Sequence, residues 1–164
     1  MREFEGRVTL VTGAGSGIGR VVAREFARSG AQVIVTDDSR EGAEQTAEEI
    51  GRLGETAVVR RMDVTSGSEV TATVAELSAS VGPIAVLVNC AGVSSMRPFL
   101  ELTEQDWDLN MNVNAKGVFL VTREVIRSMV TRAKVASSPS PRPPARRERL
   151  SWRTIPPRSG RCSG

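Results

Sequence analysis

The 164 residues include no histidine, no tyrosine and only two cysteines, Cys90 and Cys162. Two cysteines cannot build a disulfide framework. Without histidine or a cysteine cluster no zinc site is expected, and the metal-site expectation is none. No apolar run approaches the roughly 20 residues that span a bilayer. The opening Met1-Arg-Glu-Phe-Glu-Gly-Arg7 is charged throughout and has no signal-peptide core. A cytoplasmic protein with no membrane partner is expected. The missing tyrosine removes the phenol as a proton donor, which matters below. What is present is ordinary for a globular protein: 40% apolar and 25% charged residues, over a length suited to one domain and a tail.

The formal charge of +3 hides a division. Residues 134–164 hold eight of the 22 basic residues (Lys134 and seven arginines), one of the 19 acids (Glu148) and six of the eight prolines. The preceding residues are mildly acidic. The sequence therefore divides into a domain over 1–133 and a basic Pro/Ser/Arg-rich tail over 134–164, expected to be disordered.

The body alternates strands with helices. Arg7 to Thr12 is a β-branched run that stops at glycine, as suits a strand buried on both faces. Val21, Val22, Ala23, Phe26 and Ala27 fall at helical spacing over Arg20 to Ser29, with Gly30 as C-cap. Gln32 to Thr36 is a second strand. Ser39 can cap a helix with Ala43, Ala47 and Ile50 on one face. Thr56 to Arg60 is a third strand. Ser66-Gly-Ser-Glu69 offers a capping box ahead of a Val70, Val74, Leu77, Val81 stripe, which Gly82-Pro83 ends. Ile84 to Asn89 is a fourth strand, and Thr103 to Asp106 opens further helix. Such alternation predicts an α/β fold, a parallel sheet of order 3-2-1-4 with helices on both faces. Ligands then sit at the carboxyl ends of the strands.

Glycines fill the turn after the first strand, Thr12-Gly13-Ala-Gly15-Ser16-Gly17-Ile18-Gly19. They allow close approach to a pyrophosphate, and the following helix offers free N–H groups to it. Asp37 ends the next strand, 18 residues after Gly19. Its carboxylate can accept both ribose hydroxyls and repel a 2′-phosphate, favouring NAD over NADP; a solvated turn acid like its neighbour Asp38 is the other reading. Asp63-Val64 follows the third strand, where Asp63 can bond the adenine edge or form a capping turn.

Together these turns, with Asn89-Cys-Ala-Gly92 and Asn114-x-x-Gly117-x-Phe119, resemble the short-chain dehydrogenase/reductase family in order and spacing over roughly residues 4–133. The resemblance implies a Rossmann-like doubly wound parallel sheet, here incomplete with strands 1–4 of the usual seven. It implies cofactor contacts from Gly13, Ser16, Gly17, Ile18, Gly19, Asp37, Asp63, Val64, Asn89, Ala91 and Gly92. Cys90 stands where the family has a second Asn and reads as a small buried residue. Asn114 resembles the helix Asn that holds a relay water, and is the one member of the family's Asn-Ser-Tyr-Lys catalytic set that is present. The implied reaction is NAD(P)-dependent hydride transfer between the nicotinamide and an alcohol or ketone of polyol, hydroxyketone or 3-oxoacyl type. The implied assembly is a homotetramer, one of whose two long interface helices is not found in this sequence.

The family's Ser, Tyr and Lys belong to the next strand and helix. This chain has no tyrosine, and Ser137, Ser138 and Ser140 lie in a Pro-rich run that cannot form a central strand. As written it is expected to be an inactive copy. We read the tail as a frameshift: with one base restored after the Lys134 codon, Val135 to Arg142 permits Gly-Arg-Ile-Val-Thr-Ile-Ala-Ser. Arg153 to Ser159 then permits His-Tyr-Thr-Ala-Ser-Lys. The other readings are a catalytically dead dinucleotide-binding module and a nucleic-acid or membrane adaptor driven by the basic tail; no specific nucleic-acid partner is expected. Loss of the fifth strand would leave the fourth as an open, aggregation-prone edge.

Overall fold

Five consecutive residues of strand β1, Val8–Thr12, are buried, which places this β-branched run in the middle of the molecule. The computed structural model describes residues 2–136. The tail from 137 onward, and with it the disorder and frameshift readings, lies outside the described residues. Strand β1 is followed by helix α1 (Gly17–Arg28), β2 (Gln32–Asp37), α2 (Arg40–Gly51), β3 (Ala57–Arg61), α3 (Gly67–Ser80) and β4 (Ile84–Asn89). A single 3-10 turn at Phe99–Glu101 leads to α4 (Glu104–Met111), a π-helical stretch over Asn112–Gly117, and α5 (Val118–Ala136).

All strand pairs are parallel and the order is β3-β2-β1-β4, as the alternation predicts. Leu10 stands opposite Ile34 on one side and Leu87 on the other. The β1–β4 register slips once, between Val8 and Thr9. Because strand side chains alternate between faces, β1 feeds two cores. Val8, Leu10 and Ile34 pack with Val70, Val74 and Leu77 of α3 and Val121 and Val125 of α5. Val11, Val33 and Val35 pack with Ala23 and Ala27 of α1 and Ala43 and Ile50 of α2. The buried face of α1 is small throughout (Gly19, Ala23, Ala27), so this helix can lie close to the sheet.

Several local features differ from the sequence reading. Helix α1 begins at Gly17, three residues before the predicted Arg20, because the last glycines of the turn already wind into its first turn. Its cap is Ser29, with Gly30 just beyond it at φ 89°. Thr46, not Ala47, is the fully buried middle residue of the α2 face, because its hydroxyl donates to the carbonyl of Ala14. The capping box predicted at Ser66–Glu69 is half made. Ser66 accepts from the Glu69 N–H, but the Glu69 carboxylate turns to the Asp63 N–H and to Arg61. A complete box forms at Thr103 and Asp106 instead.

The packing identifies where truncation is costly. Ile34→Ala, in a side chain with no exposed surface, is expected to lower stability by about 2–5 kcal/mol in urea titrations. Met96→Ala, at 95% exposure, is expected to stay within about 0.5 kcal/mol. Equal effects would contradict the assignment of the core.

Candidate functional site

The four turns at the carboxyl ends of the strands converge on one cavity of about 590 Å³. Its lining includes Gly13 and Ser16–Gly19 after β1, Asp37 and Asp38 after β2, Met62–Thr65 after β3, and Cys90–Val93 after β4. Leu109 and Val113 close its far side. Of the residues expected to contact a cofactor, Gly13, Ser16, Gly17, Ile18, Gly19, Asp37, Asp63, Val64, Ala91 and Gly92 lie on this wall. Asn89 does not. Its side-chain amide donates to the Thr122 hydroxyl at 3.1 Å and so ties the end of β4 to α5.

Two glycines let the backbones interlock. A Cβ on Gly13, whose φ is 61°, would sit 2.5 Å from the Ala91 Cα; one on Gly19 would sit 2.1 Å from the Gly13 carbonyl oxygen. No side chain fits either place. The turn is further pinned from outside. Ala14 donates its N–H to the Thr36 carbonyl, and Arg20 donates to the Gly15 carbonyl and, at 3.1 Å, to Thr46. The Thr12 hydroxyl accepts the N–H groups of Cys90 and Ala91, both at 3.2 Å, and joins the first and fourth turns. Thr12, Arg20 and Thr46 were not assigned these roles from sequence. Polar residues on or beside helices are common, and nothing in the spacing marks which carbonyl each will reach.

The start of α1 differs from those of α2, α3 and α4. Ser16 is extended but makes no side-chain bond to the first turn, and that turn contains no acid. By contrast α2, α3 and α4 are capped by Ser39, Ser66 and Thr103, and each has an acid in its first turn. The first-turn N–H groups and the positive end of the α1 dipole therefore meet the cavity without a protein carboxylate or hydroxyl in between. Such an end favours an anion.

Three aspartates line the cavity, of which Asp38 pairs with Arg61. Asp37 accepts from the Gly15 N–H at 2.8 Å through one oxygen and from the Ser39 N–H at 2.9 Å through the other. It thus shapes the glycine turn as well as facing the cavity. Asp63 accepts through Oδ1 from the hydroxyl of Thr65 at 2.7 Å and its N–H at 2.8 Å. These bonds, the hydroxyl's first, hold its carboxyl below the usual carboxylate range. Asp63 thus forms the turn with Thr65 and also lines the cavity. Burial pushes the Cys90 thiol up, away from the reactive thiolate.

Asn114 lies within the π-helical stretch. Its amide oxygen accepts from the Val93 N–H at 2.9 Å and its nitrogen donates to the Val93 carbonyl at 2.8 Å. The side chain thereby clamps the turn after β4 by both backbone groups. Among the described residues no cluster of His, Cys, Asp and Glu could hold a metal ion, and no helix is long and apolar enough to cross a membrane.

Against known proteins, the model of a family described as short chain dehydrogenase matches residues 7–137. A 5-keto-D-gluconate 5-reductase of Escherichia coli is 40% identical over 127 residues, covering 77% of this chain and 50% of the reductase. A D-threitol dehydrogenase of Mycolicibacterium smegmatis is 39% identical over 129 residues, covering 77% of this chain and 49% of that enzyme. A solved gluconate 5-dehydrogenase from Burkholderia cenocepacia, in complex with NADP and tartrate, superposes with a TM-score of 0.73 at 37% identity over 79% of this chain and 51% of its own. The chain spans about half the length of the curated relatives it matches.

Two outcomes test this geometry. Gly19→Ala, which forces a side chain against the Gly13 carbonyl, is expected to open the turn and lower the thermal midpoint measurably, whereas Gly51→Ala, with nothing within 4 Å of its added carbon, is not. Asp63 tests the pH dependence. Its folded-state pKa lies below its unfolded value, so it adds stability above the usual carboxylate pKa and loses it as pH falls through the folded value. The urea midpoint of Asp63→Ala is therefore expected to trail the parent most at neutral pH, with a gap that narrows in acid. A pH-independent gap would contradict the carboxylate's role.

Proposed function

As the chain belongs to the short-chain dehydrogenase family, we propose that its cavity is the dinucleotide cradle of an oxidoreductase acting on polyols or keto-sugars in the cytoplasm. The observation that carries this reading is the start of α1: an uncapped, acid-free helix N-terminus opening into a cavity lined mostly by the turns after the strands. When bound, a nicotinamide dinucleotide supplies the hydride donor or acceptor. The residues of this chain then divide the work. Ser16, Gly17, Ile18 and Gly19 present N–H groups to the pyrophosphate. Asp37 receives the adenosine ribose, where its charge disfavours an added phosphate. Asp63 and Val64 flank the base, and Cys90, Ala91 and Gly92 back the nicotinamide half.

Substrate class follows the relatives, among them a 5-keto-D-gluconate reductase and a D-threitol dehydrogenase. Both act on hydroxyl-rich chains, and this supports a polyol or keto-sugar over a 3-oxoacyl group. The chain as written contains no tyrosine, so we assign it cofactor binding without turnover. Asn114 then acts as a positioning residue, holding the Val93 turn beside the cavity.

Titration of the full chain with NADH and with NADPH, followed by nucleotide fluorescence, tests this function. Saturable binding with NADH the tighter ligand is expected. Asp37→Asn, which keeps an acceptor for the Gly15 N–H, is expected to narrow the NADH/NADPH gap about tenfold, or ~1.4 kcal/mol. Equal affinities in the parent would overturn the role of Asp37, and no binding of either would overturn the cradle.

A further inference from the structure

The sheet is open at one side. Among the described residues β4 pairs only with β1, so its outer edge presents unpaired backbone N–H and C=O groups. Beside that edge the outer face of α5 is apolar and uncovered. Val118, Phe119 and Ile126, which are 37%, 57% and 51% exposed, line a shallow groove of about 520 Å³ with Ala115, Thr122 and Arg123. The groove adjoins β4, since Thr122 accepts the Asn89 amide.

Topology says what should cover it. Helices α1 and α2 pack on one face as the chain steps from β1 out to β3. Helices α3 and α5 pack on the other as it steps back past β1 to β4. A right-handed crossover through α5 delivers the next strand parallel to β4 on its open side. In the sequence that follows α5, four prolines fall within residues 139–144, and proline lacks the N–H that an inner strand donates. The family match also stops at residue 137.

We propose that the gene encodes the missing strand one base out of register after the Lys134 codon, and with it the serine, tyrosine and lysine that complete the site. The amino-acid sequence constrains the codons enough to support it. In the shifted frame each codon takes the last base of one written codon and the first two of the next. Ser138–Pro139 and Ser140–Pro141 then give codons ending in CC, which encode Ser, Pro, Thr or Ala and so permit Thr and Ala at these two positions. The run from Val135 to Arg142 then permits Gly-Arg-Ile-Val-Thr-Ile-Ala-Ser, a β-branched strand of the inner parallel kind. Ile155 begins with AT, so the codon it closes encodes Tyr, His, Asn or Asp. Ser159, if it begins with AG, closes a codon for Lys, Gln, Glu or a stop.

Placement agrees with composition. The serine falls at the carboxyl end of its strand, level with the turn after β4 that Asn114 clamps. The tyrosine and lysine codons are four apart, so both side chains share one helix face. A lysine ammonium there favours the phenolate and tunes the phenol for proton transfer. One restored base thus supplies three things absent among the described residues: a partner for the β4 edge, a cover for Phe119 and Ile126, and a tyrosine beside the cavity.

The test is the nucleotide sequence of the locus and its transcript across codons 134–160, together with hydrogen exchange on two proteins. Expected are TAT at the Thr154–Ile155 junction, AAG at the Arg158–Ser159 junction, a serine codon at Pro141–Arg142 and no stop between them. A stop, or a non-tyrosine codon at that junction, overturns the proposal. The second arm compares the chain as written with the chain translated after inserting one base following codon 134. Amides of β4 are expected to exchange at least about tenfold more slowly in the latter. Unchanged exchange overturns the docking of the new strand, as does slow exchange already present in a discrete dimer of the written chain, where a second copy would be the occupant. Neither arm depends on nucleotide affinity, so failure of the cofactor reading leaves this test intact.

Discussion

Everything at the functional end of the molecule depends on two backbones passing at contact distance. Gly13 lies against Ala91 so tightly that any Cβ would overlap backbone atoms, and Gly19 lies against the carbonyl of Gly13 in the same way. The Thr12 hydroxyl fixes that approach by accepting two N–H groups from the fourth turn. Buried backbone polar groups must find partners, and here one side chain satisfies two of them across a strand boundary. The consequence is a helix whose first turn begins at the sheet and points its free N–H groups into the space between strand ends.

The electrostatics follow from that placement. Charge is kept away from the opening of α1 but gathered around it. Asp37 binds backbone on both sides of the glycine turn, Arg61 pairs with Asp38 and Glu69, and Asp63 is held ionised by Thr65. Exposed pairs of this kind contribute little to stability. Among the described residues they gather at the rim of the cavity, beside the acid-free start of α1.

Strand order, the parallel sheet and the glycine turn were legible in the sequence because each is written locally. A β-branched run ending at glycine, and a hydrophobic stripe at helical spacing, do not need distant residues to be recognised. The parts that were not legible depend on distances across the fold. Asn89 looked like a cavity residue from its motif, yet it bonds Thr122, 33 positions away. Glu69 had the right spacing for a capping box but found Arg61 and the Asp63 N–H closer to hand. The widened helical turn at Asn112–Gly117 has no spacing signature, though it sets Asn114 facing the backbone of Val93.

The account stands on one physical claim, that the uncapped start of α1 is where an anionic dinucleotide is held. Amide chemical shifts of the isotopically labelled full chain, recorded during an NADH titration, address it directly. The account predicts that the N–H signals of Gly17, Ile18 and Gly19 move most, followed by residues at the ends of β2, β3 and β4. Shifts confined to the arginine-rich residues after 137, with the first turn of α1 unmoved, would contradict it.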